Sequence, residues 1–272
     1  MKNNRKKKII LTVLISIIIL IIGFTGYEVI TRDNTYYIGE KNLQIPIFVY
    51  HNIVEDESKI EYDYMQTPVD KFEKQITGLM KLGYKPISYE DLYKYKKEEI
   101  AIPKWSFLIT FDDGYEGVYD YAFPIAKKYN IPMTVFEIDN NMETENCLTW
   151  QEAKEMHDSK LISIYSHGYE HFEYDKQTTE ELVRLTNMSY NNIVTKLEDD
   201  SILKVFTYPY GLYREDEILA LEKEGFIQNL TDNKINQSKN LNLSKLHRCY
   251  PLNDSVFKII LKIQYRTLRY GS

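Results

Sequence analysis

Short apolar runs alternate along this chain with stretches whose apolar residues recur at helical spacing, and this alternation limits the fold most strongly. In TPVDKFEKQITGLMKLGY, for example, Phe72, Ile76 and Leu79 mark one helical face that stops before Gly83. The strand-like runs are IPIFVYHNI (45–53), WSFLITFDD (105–113), IPMTVFEI (131–138), LISIYSHG (161–168) and ILKVFTYPYG (202–211). Repeated strand–helix alternation predicts a parallel sheet, closed or open, flanked by helices.

Two helix starts carry a capping-box pattern. Ser88 is followed three residues later by Asp91, and Thr149 by Glu152. Downstream, LSKLHRCYPL (243–252) is expected to be the last strand before a C-terminal helix. The polar segment 231–242 is expected to be a loop.

The first thirty residues differ from the rest. Residues 1–8 carry five positive charges, and residues 9–24 carry none. No small-residue cleavage site follows, which favours an anchor over a cleaved signal peptide, although the uncharged run needs residues 25–30 to reach the roughly 20 of a full span. We predict a cytoplasmic tail (1–8), a transmembrane signal-anchor (9–30), a stalk (31–44) and a folded domain (45–272). The basic tail places that domain outside the cell membrane, on a single-pass protein.

Beyond the tail the chain has 29 Lys and Arg against 40 Asp and Glu, a net charge of -11. Such a domain is poorly suited to nucleic acid or anionic lipid. An extracytoplasmic location permits a disulfide between Cys147 and Cys249, but two unpaired buried thiols fit the sequence equally well.

Polar clusters stand where three predicted strands end: Asp112 with Asp113, SHGYEH (166–171) and TYPYG (207–211). The carboxyl ends of parallel strands meet at one edge of the sheet, where such folds place their active sites. His167 and His171 are four residues apart, so both imidazoles can face one ion. Asp113 or Asp112 would complete a two-histidine, one-carboxylate metal site and leave the other as a base. A solvated histidine pair on a loop is the alternative.

The motifs TFDDGY (110–115), SHGYEH and FTYPYG (206–211), in this order, resemble the first three motifs of the polysaccharide deacetylases, the carbohydrate esterase family four or NodB-homology domain. FVYHNI and KFEKQITGLMKLGYKPIS are most similar to the branch of intercellular-adhesin and poly-N-acetylglucosamine deacetylases. The resemblance covers about residues 45–250. It implies a deformed (β/α) barrel with fewer strands than a full TIM barrel.

The resemblance also implies roles. Asp113, His167 and His171 match the metal ligands, and Asp112 matches the catalytic base. The cofactor would be a divalent ion, Zn²⁺ first, with Co²⁺, Ni²⁺, Mn²⁺ or Fe²⁺ as alternatives. The backbone N–H of Tyr210 would stabilise the oxyanion.

Two features depart from the family pattern. Many members carry an arginine in the third motif, but this chain has Thr207 and Tyr208 there. Arg248 is the expected substitute beside Asp112, with a surface arginine as the alternative. The general acid is His51 or His247. Because His247 and Arg248 are consecutive in a predicted strand, they should face opposite sides, which favours His51 with Arg248.

The expected function is metal-dependent N-deacetylation of N-acetylglucosamine residues in a cell-surface glycan. That glycan would be a poly-N-acetylglucosamine exopolysaccharide of biofilms or peptidoglycan, where deacetylation confers lysozyme resistance. The alternatives are a catalytically inactive carbohydrate-binding module and an O-acetyl esterase. Nucleic acid is not an expected partner, and protein partners are left open.

Overall fold

The computed structural model describes residues 6–7, 10, 12–13, 15–16, 36–37, 43–61 and 65–270. Within these residues no helix is long and apolar enough to cross a membrane. Most of the predicted tail, anchor and stalk lies outside the described residues. Residues 36–272 form one compact unit, and Tyr36–Tyr37, inside the predicted stalk, pair with Ile102–Pro103 of that unit.

The strands of the described chain are β1 (Tyr36–Tyr37), β2 (Gln44–Ile45), β3 (Ile47–Tyr50), β4 (Asn52–Val54), β5 (Gln66–Pro68), β6 (Lys85–Pro86), β7 (Ile102–Pro103), β8 (Ser106–Asp112), β9 (Met133–Glu137), β10 (Ile162–Ser166), β11 (Val205–Thr207), β12 (Ile227–Leu230), β13 (Asn236–Gln237) and β14 (Leu246–His247). The α-helices of this compact unit are α1 (Val69–Lys81), α2 (Tyr89–Lys97), α3 (Phe123–Tyr129), α4 (Trp150–Asp158), α5 (Thr179–Leu197), α6 (Glu215–Lys223) and α7 (Val256–Tyr270). A π-helical turn, Val118–Ala122, leads into α3.

Seven of the described strands form a closed parallel barrel. Their order is β14-β12-β11-β10-β9-β8-β3, and each neighbouring pair is parallel. The ring closes because Cys249, just after β14, pairs with β3. Val49 N donates to Cys249 O at 3.0 Å, and Cys249 N donates to Ile47 O at 2.9 Å. The predicted (β/α) barrel with fewer strands than a TIM barrel is confirmed.

All seven residues of β8 are buried. A strand in a closed parallel barrel faces the interior on one side and the surrounding helices on the other, so an apolar run without alternation is expected there. This is why WSFLITFDD reads as nearly continuous hydrophobic sequence. Both predicted capping boxes are present, at Ser88 before α2 and at Thr149 before α4.

One barrel strand, β12, was not predicted, because its sequence IQNL places two amides in the sheet. Gln228 and Asn229 are fully buried, and both are hydrogen-bonded. Gln228 accepts from Tyr208 Oη at 2.6 Å and Asn229 accepts from Tyr89 Oη at 2.6 Å. Satisfied amides carry little penalty in a core, but they remove the apolar pattern that identifies a strand.

Two further expectations need correction. The predicted loop 231–242 contains β13, which pairs antiparallel with β2 because Asn236 and Gln237 meet Ile45 and Gln44. The predicted last strand, 243–252, is reduced to the two residues of β14 and the bridge at Cys249. Both cysteines are free, Cys147 half-buried and Cys249 fully buried.

Candidate active site

A cavity of about 640 Å³ opens at the carboxyl ends of the barrel strands. It is lined by six of the predicted site residues, which are Asp112, Asp113, His167, His171, His51 and Tyr210, together with ten others. Arg248 lies behind this lining and contacts Asp112. His247 is absent from the lining.

The chain leaves β8 through two consecutive left-handed residues. Asp113 has φ 72° and Gly114 has φ 71°. A left-handed conformation is unfavourable for a non-glycine residue, so Asp113 is held there by its surroundings. At Gly114 the positive φ favours glycine, whereas a Cβ there would be in ordinary contact, 3.4 Å from Glu137 Cβ. The turn directs the Asp113 carboxylate into the cavity beside Asp112.

Three ligand-type atoms converge beside this turn. Asp113 Oδ1 lies 3.4 Å from His167 Nε2 and 3.5 Å from His171 Nε2. The ligand atoms of these residues all lie within 4.8 Å of one another. Asp113 and His167 are buried, whereas the His171 side chain is 30% exposed and forms the solvent-facing side of the cluster.

Hydrogen bonding fixes which nitrogen of His167 faces the cluster. His167 Nδ1 is 2.9 Å from the carbonyl oxygen of Thr207, which can only accept, so Nδ1 carries the proton. The lone pair of Nε2 then points at Asp113, as in a metal-binding histidine oriented by a carbonyl. Burial lowers the pKa of His167 to about 3 and also lowers the pKa of His171. Both rings are therefore neutral near pH 7.

Asp113 is a buried acceptor without a hydrogen-bonded donor. Burial, and then the neighbouring Asp112, raise the pKa of Asp113 to about 7, and its Oδ1 has no hydrogen-bond partner. The Nε2 lone pair of His167, the Nε2 atom of His171 and the Oδ1 atom of Asp113 thus lie around one point. This donor set fits a divalent metal ion of the borderline kind, such as zinc.

Asp112 has the opposite environment. Arg248 Nη1 donates to Asp112 Oδ1 at 2.6 Å and Arg248 Nη2 donates to Oδ2 at 2.7 Å. Burial raises the pKa of Asp112, but the positive charge of Arg248, its hydrogen bonds and the neighbouring His167 and His51 together outweigh burial and bring the pKa to about 2. The arginine is fully buried and also donates to Thr231 Oγ1 at 2.7 Å. The structure therefore places Arg248 in the barrel interior beside Asp112, not on the surface.

The two candidate general acids lie in different places. The His51 side chain is buried, lines the cavity and stacks on Tyr250 with ring centroids 6.1 Å apart. Its Nδ1 has no hydrogen-bond partner, and burial lowers its pKa. His247 Nδ1 instead pairs with Asp232 at 2.9 Å. His247 and Arg248 thus have separate partners, as their consecutive positions led us to expect.

Tyr210 sits at the rim of the cavity in a left-handed conformation, with φ 58°, directly after Pro209. Its ring is 63% exposed and lies 4.2 Å, centroid to centroid, from that of His171. Its backbone amide therefore belongs to the turn that borders the three-ligand cluster.

Sequence reasoning missed Glu137 and Tyr250. Glu137 ends β9 beneath the cluster, and its carbonyl oxygen accepts from His167 N at 2.7 Å. Its side chain is fully buried, and this burial raises its pKa well above the ordinary value. The available signal was an acidic residue at the end of a predicted apolar strand, the same signal that identified Asp112. Nothing in the sequence marks Tyr250, because its place depends on the bridge that closes the barrel.

The fold and the site together define a (β/α) barrel enzyme with a two-histidine, one-carboxylate cluster at the carboxyl ends of its strands. Residues 99–228 match the sequence model of the family described as polysaccharide deacetylase. Residues 99–228 therefore form a polysaccharide deacetylase domain, and the relatives that the chain matches are named as deacetylases.

Among the relatives, the chain is 29% identical over 212 residues to the protein YxkH of Bacillus subtilis (strain 168), covering 77% of this chain and 72% of the relative. It is 30% identical over 166 residues to a poly-beta-1,6-N-acetyl-D-glucosamine N-deacetylase of Staphylococcus aureus. That match covers 57% of each chain, so the present chain spans little more than half of the staphylococcal enzyme.

Two solved structures share the fold. The IcaB structure from Ammonifex degensii matches with a TM-score of 0.71 at 22% identity, covering 85% of this chain and 100% of that one. The Streptococcus pyogenes deacetylase PplD in complex with acetate matches with a TM-score of 0.73 at 22% identity, covering 82% and 99%. At this identity the likeness concerns the fold alone.

Proposed function

We propose that this protein is a metal-dependent N-deacetylase of N-acetylglucosamine residues in a cell-surface glycan. The observation that carries the proposal is the convergence in one cavity of the Asp113, His167 and His171 cluster with the ionised Asp112. A cation site next to a fixed carboxylate is an arrangement that supports metal-assisted hydrolysis of an amide by water.

Asp113, His167 and His171 would hold the metal, with zinc as the first choice and cobalt, nickel, manganese or iron as alternatives. When bound, such an ion lowers the pKa of a water molecule toward ~7 and polarises the amide carbonyl. The neutral imidazoles and the hydrogen bond that orients His167 leave this chain ready to bind the ion without rearranging its own groups.

Asp112 would accept the proton from the attacking water. Arg248 holds both of its oxygens, so the carboxylate stays ionised and keeps one orientation throughout the pH range of a folded protein. This strong pairing also makes Asp112 a weak base, because an effective general base has a pKa near the working pH. We therefore expect the low pKa of Asp112 to limit the rate of hydrolysis.

His51 would donate the proton to the leaving amine. The ring is neutral in this structure because burial lowers its pKa, so it has to gain a proton during the reaction. The charge of Asp112 opposes the effect of burial and stabilises the imidazolium. The backbone N–H of Tyr210, at the rim of the cluster, would stabilise the developing oxyanion.

Poly-β-1,6-N-acetylglucosamine is the substrate we favour, because the staphylococcal relative is named as an N-deacetylase of that polymer. Peptidoglycan is the second candidate. Deacetylation would leave free amines and a positive charge on either glycan. For localisation, we propose that residues 9–30 anchor the protein in the cell membrane and that the catalytic domain is extracytoplasmic; the basic tail and the uncharged run support this.

The test measures acetate release by residues 36–272 from poly-β-1,6-N-acetylglucosamine, from peptidoglycan and from an O-acetylated sugar, with Asp112→Asn as the inactive control. We expect the wild type to release acetate from poly-β-1,6-N-acetylglucosamine and Asp112→Asn to release none. Equal release by both proteins would contradict the mechanism. No release despite bound metal would favour the carbohydrate-binding module, and release from the O-acetylated sugar alone would favour the esterase.

A further inference from the structure

Helix α7, at the end of the compact unit, presents three different faces. One face is fixed to the domain: Ile259 and Ile263 are almost fully buried. The helix approaches α1 closely at Gly78, where an added Cβ would lie 2.4 Å from Val256 Cγ2. α7 is thus part of the packed domain, and its orientation is set.

A second face is apolar and exposed. Phe257, Leu261, Tyr265 and Leu268 are 71%, 51%, 56% and 88% exposed. Their spacing of four, four and three residues puts them in one stripe along the helix. Single exposed apolar residues are ordinary. Four large ones along one face of a helix indicate a surface that binds a partner or a membrane.

The third face is basic and runs parallel to the apolar stripe. Lys258, Lys262, Arg266 and Arg269 follow one another at spacings of four, four and three residues, and Val256–Tyr270 contains no acidic residue. Lys262 pairs with Asp254, just before the helix. The helix still carries a net positive charge along its whole length, on a domain whose overall charge is negative.

We propose that α7 docks the domain onto an anionic lipid bilayer, with its apolar stripe in the acyl boundary and its basic row at the phosphates. Charge complementarity selects this occupant. An apolar stripe beside a row of Lys and Arg is the pattern of helices that lie in the membrane interface. A bilayer offers acyl chains to the apolar stripe and phosphates to Lys258 and Arg269, while Lys262 and Arg266 already pair with Asp254 and Asn233. A second copy packed stripe against stripe would offer an apolar face too, but its α7 carries no acidic residue to pair with the basic row.

The negative net charge of the domain predicted no binding to anionic lipid. The positive charges of α7, however, are clustered on one helix, so this helix can bind anionic lipid despite the net charge. Charges interact over about 8 Å at physiological ionic strength, so the basic row of α7 meets the phosphates while distant acidic residues are screened. The helix begins six residues after Tyr250, which lines the catalytic cavity. Docking would therefore hold the cavity mouth within about 20 Å of the bilayer surface.

The experiment measures cosedimentation of residues 36–272 with vesicles. This unit contains all three buried apolar clusters of the described chain, and it omits the apolar run at residues 9–24, which would bind lipid by itself. We expect binding to vesicles of phosphatidylglycerol and phosphatidylcholine in equal amounts, and none to vesicles of phosphatidylcholine alone.

Two variants locate the surface. Phe257→Ser combined with Leu261→Ser should weaken binding by more than about tenfold. Lys258→Glu should weaken it by about fivefold or more. The matched controls are Leu219→Ser with Ile100→Ser, two apolar residues elsewhere that are about half exposed, and Lys97→Glu, which makes the same change in charge away from α7. The controls should bind as the wild type does, with the same circular dichroism.

Three results would overturn the proposal. They are no binding to anionic vesicles, binding that the α7 variants leave unchanged, and equal losses in variants and controls. A dimer in sedimentation velocity that Phe257→Ser with Leu261→Ser abolishes would assign the stripe to a second copy instead.

Discussion

The two neighbouring carboxylates at the end of β8 show how strongly the pKa of the same side chain can differ within one site. Asp112 and Asp113 are both buried, yet the pKa of Asp112 is about 2 and that of Asp113 is about 7. Burial raises both. Arg248 pairs with Asp112 and lowers its pKa, whereas the charge of Asp112 raises the pKa of Asp113 further. Asp113 faces two neutral imidazoles instead. One carboxylate has its cation built into the protein, and the other is arranged for a cation that binds from outside.

Replacing each of the two carboxylates separately should have the largest effect and should distinguish their roles. Asp112→Asn should lower acetate release by about 10²–10⁴-fold while the metal stays bound, because a positioned acid or base contributes that much. Asp113→Asn should lose the metal as well as the activity. Metal analysis of both purified variants, beside the acetate assay, gives the answer. If Asp112→Asn loses the metal and Asp113→Asn keeps it, the two roles are assigned the wrong way round.

The Arg248 side of the comparison predicts a large effect on stability. Arg248→Gln should lower the free energy of unfolding by about 3–5 kcal/mol, because it leaves a buried carboxylate without its partner. Urea denaturation measures this change. Arg184→Gln is the matched control, since Arg184 pairs with Glu181 on the exposed surface of α5, where ion pairs contribute little. Equal midpoints for the two variants would show that the buried pair does not stabilise the fold.

The same pair predicts the response of stability to acid. The folded-state pKa of Asp112 lies below its unfolded value of about 3.9, so the pair stabilises the protein above pH 4. That contribution is lost as the pH falls from about 4 toward 2. Arg248→Gln should lose this part of the acid sensitivity, which thermal melts between pH 5 and 2 would detect. If Arg248→Gln loses stability between pH 4 and 2 as the wild type does, the acid sensitivity comes from groups other than the Asp112–Arg248 pair.

The Asp113 side predicts a response of metal binding to pH. A proton bound at a pKa of about 7 competes with the metal, so affinity should fall as the pH drops below 7, by about tenfold for each unit. The histidines add little to this slope near neutrality because their pKa values are already lowered. Calorimetric titration of the metal-free protein with Zn²⁺ between pH 5.5 and 7.5 measures the slope. Affinity that is constant over this range would contradict the raised pKa.

The smallest expected effect concerns Glu137 beneath the cluster. Because burial raises the pKa of the Glu137 carboxyl well above its ordinary value and so favours the neutral form, Glu137→Gln should change stability by less than about 1 kcal/mol. Glu137→Ala should cost more, since it removes the rest of a fully buried side chain and leaves a cavity. A glutamine variant as unstable as the alanine variant would show that the carboxyl group itself is required.

The sequence predicted the parts of the site that depend on strand ends. Asp112, Asp113 and His167 follow apolar runs, and parallel topology brings such ends together. It could not predict β12, where Gln228 and Asn229 are satisfied only by partners distant in the sequence. It also could not predict Tyr250 or the closure at Cys249, because closing a barrel fixes a register that no local pattern encodes. The anchor predicted at 9–30 stays a prediction.

The pKa difference between the two aspartates also could not be read from the sequence, because it depends on where Arg248 reaches. The resemblance to a family suggested that arginine, but only the structure places its guanidinium 2.6 and 2.7 Å from the Asp112 oxygens. Adjacent residues in a motif can therefore share burial and still differ by several pKa units.

The central claim is that hydrolysis depends on a metal at Asp113, His167 and His171 and on the ionised Asp112 beside it. The most direct measurement is acetate release from poly-β-1,6-N-acetylglucosamine by residues 36–272 after chelation and again after Zn²⁺ is restored. We predict that chelation abolishes release and that Zn²⁺ restores it in the wild type but not in Asp112→Asn. Full activity in the chelated, metal-free protein would contradict the account.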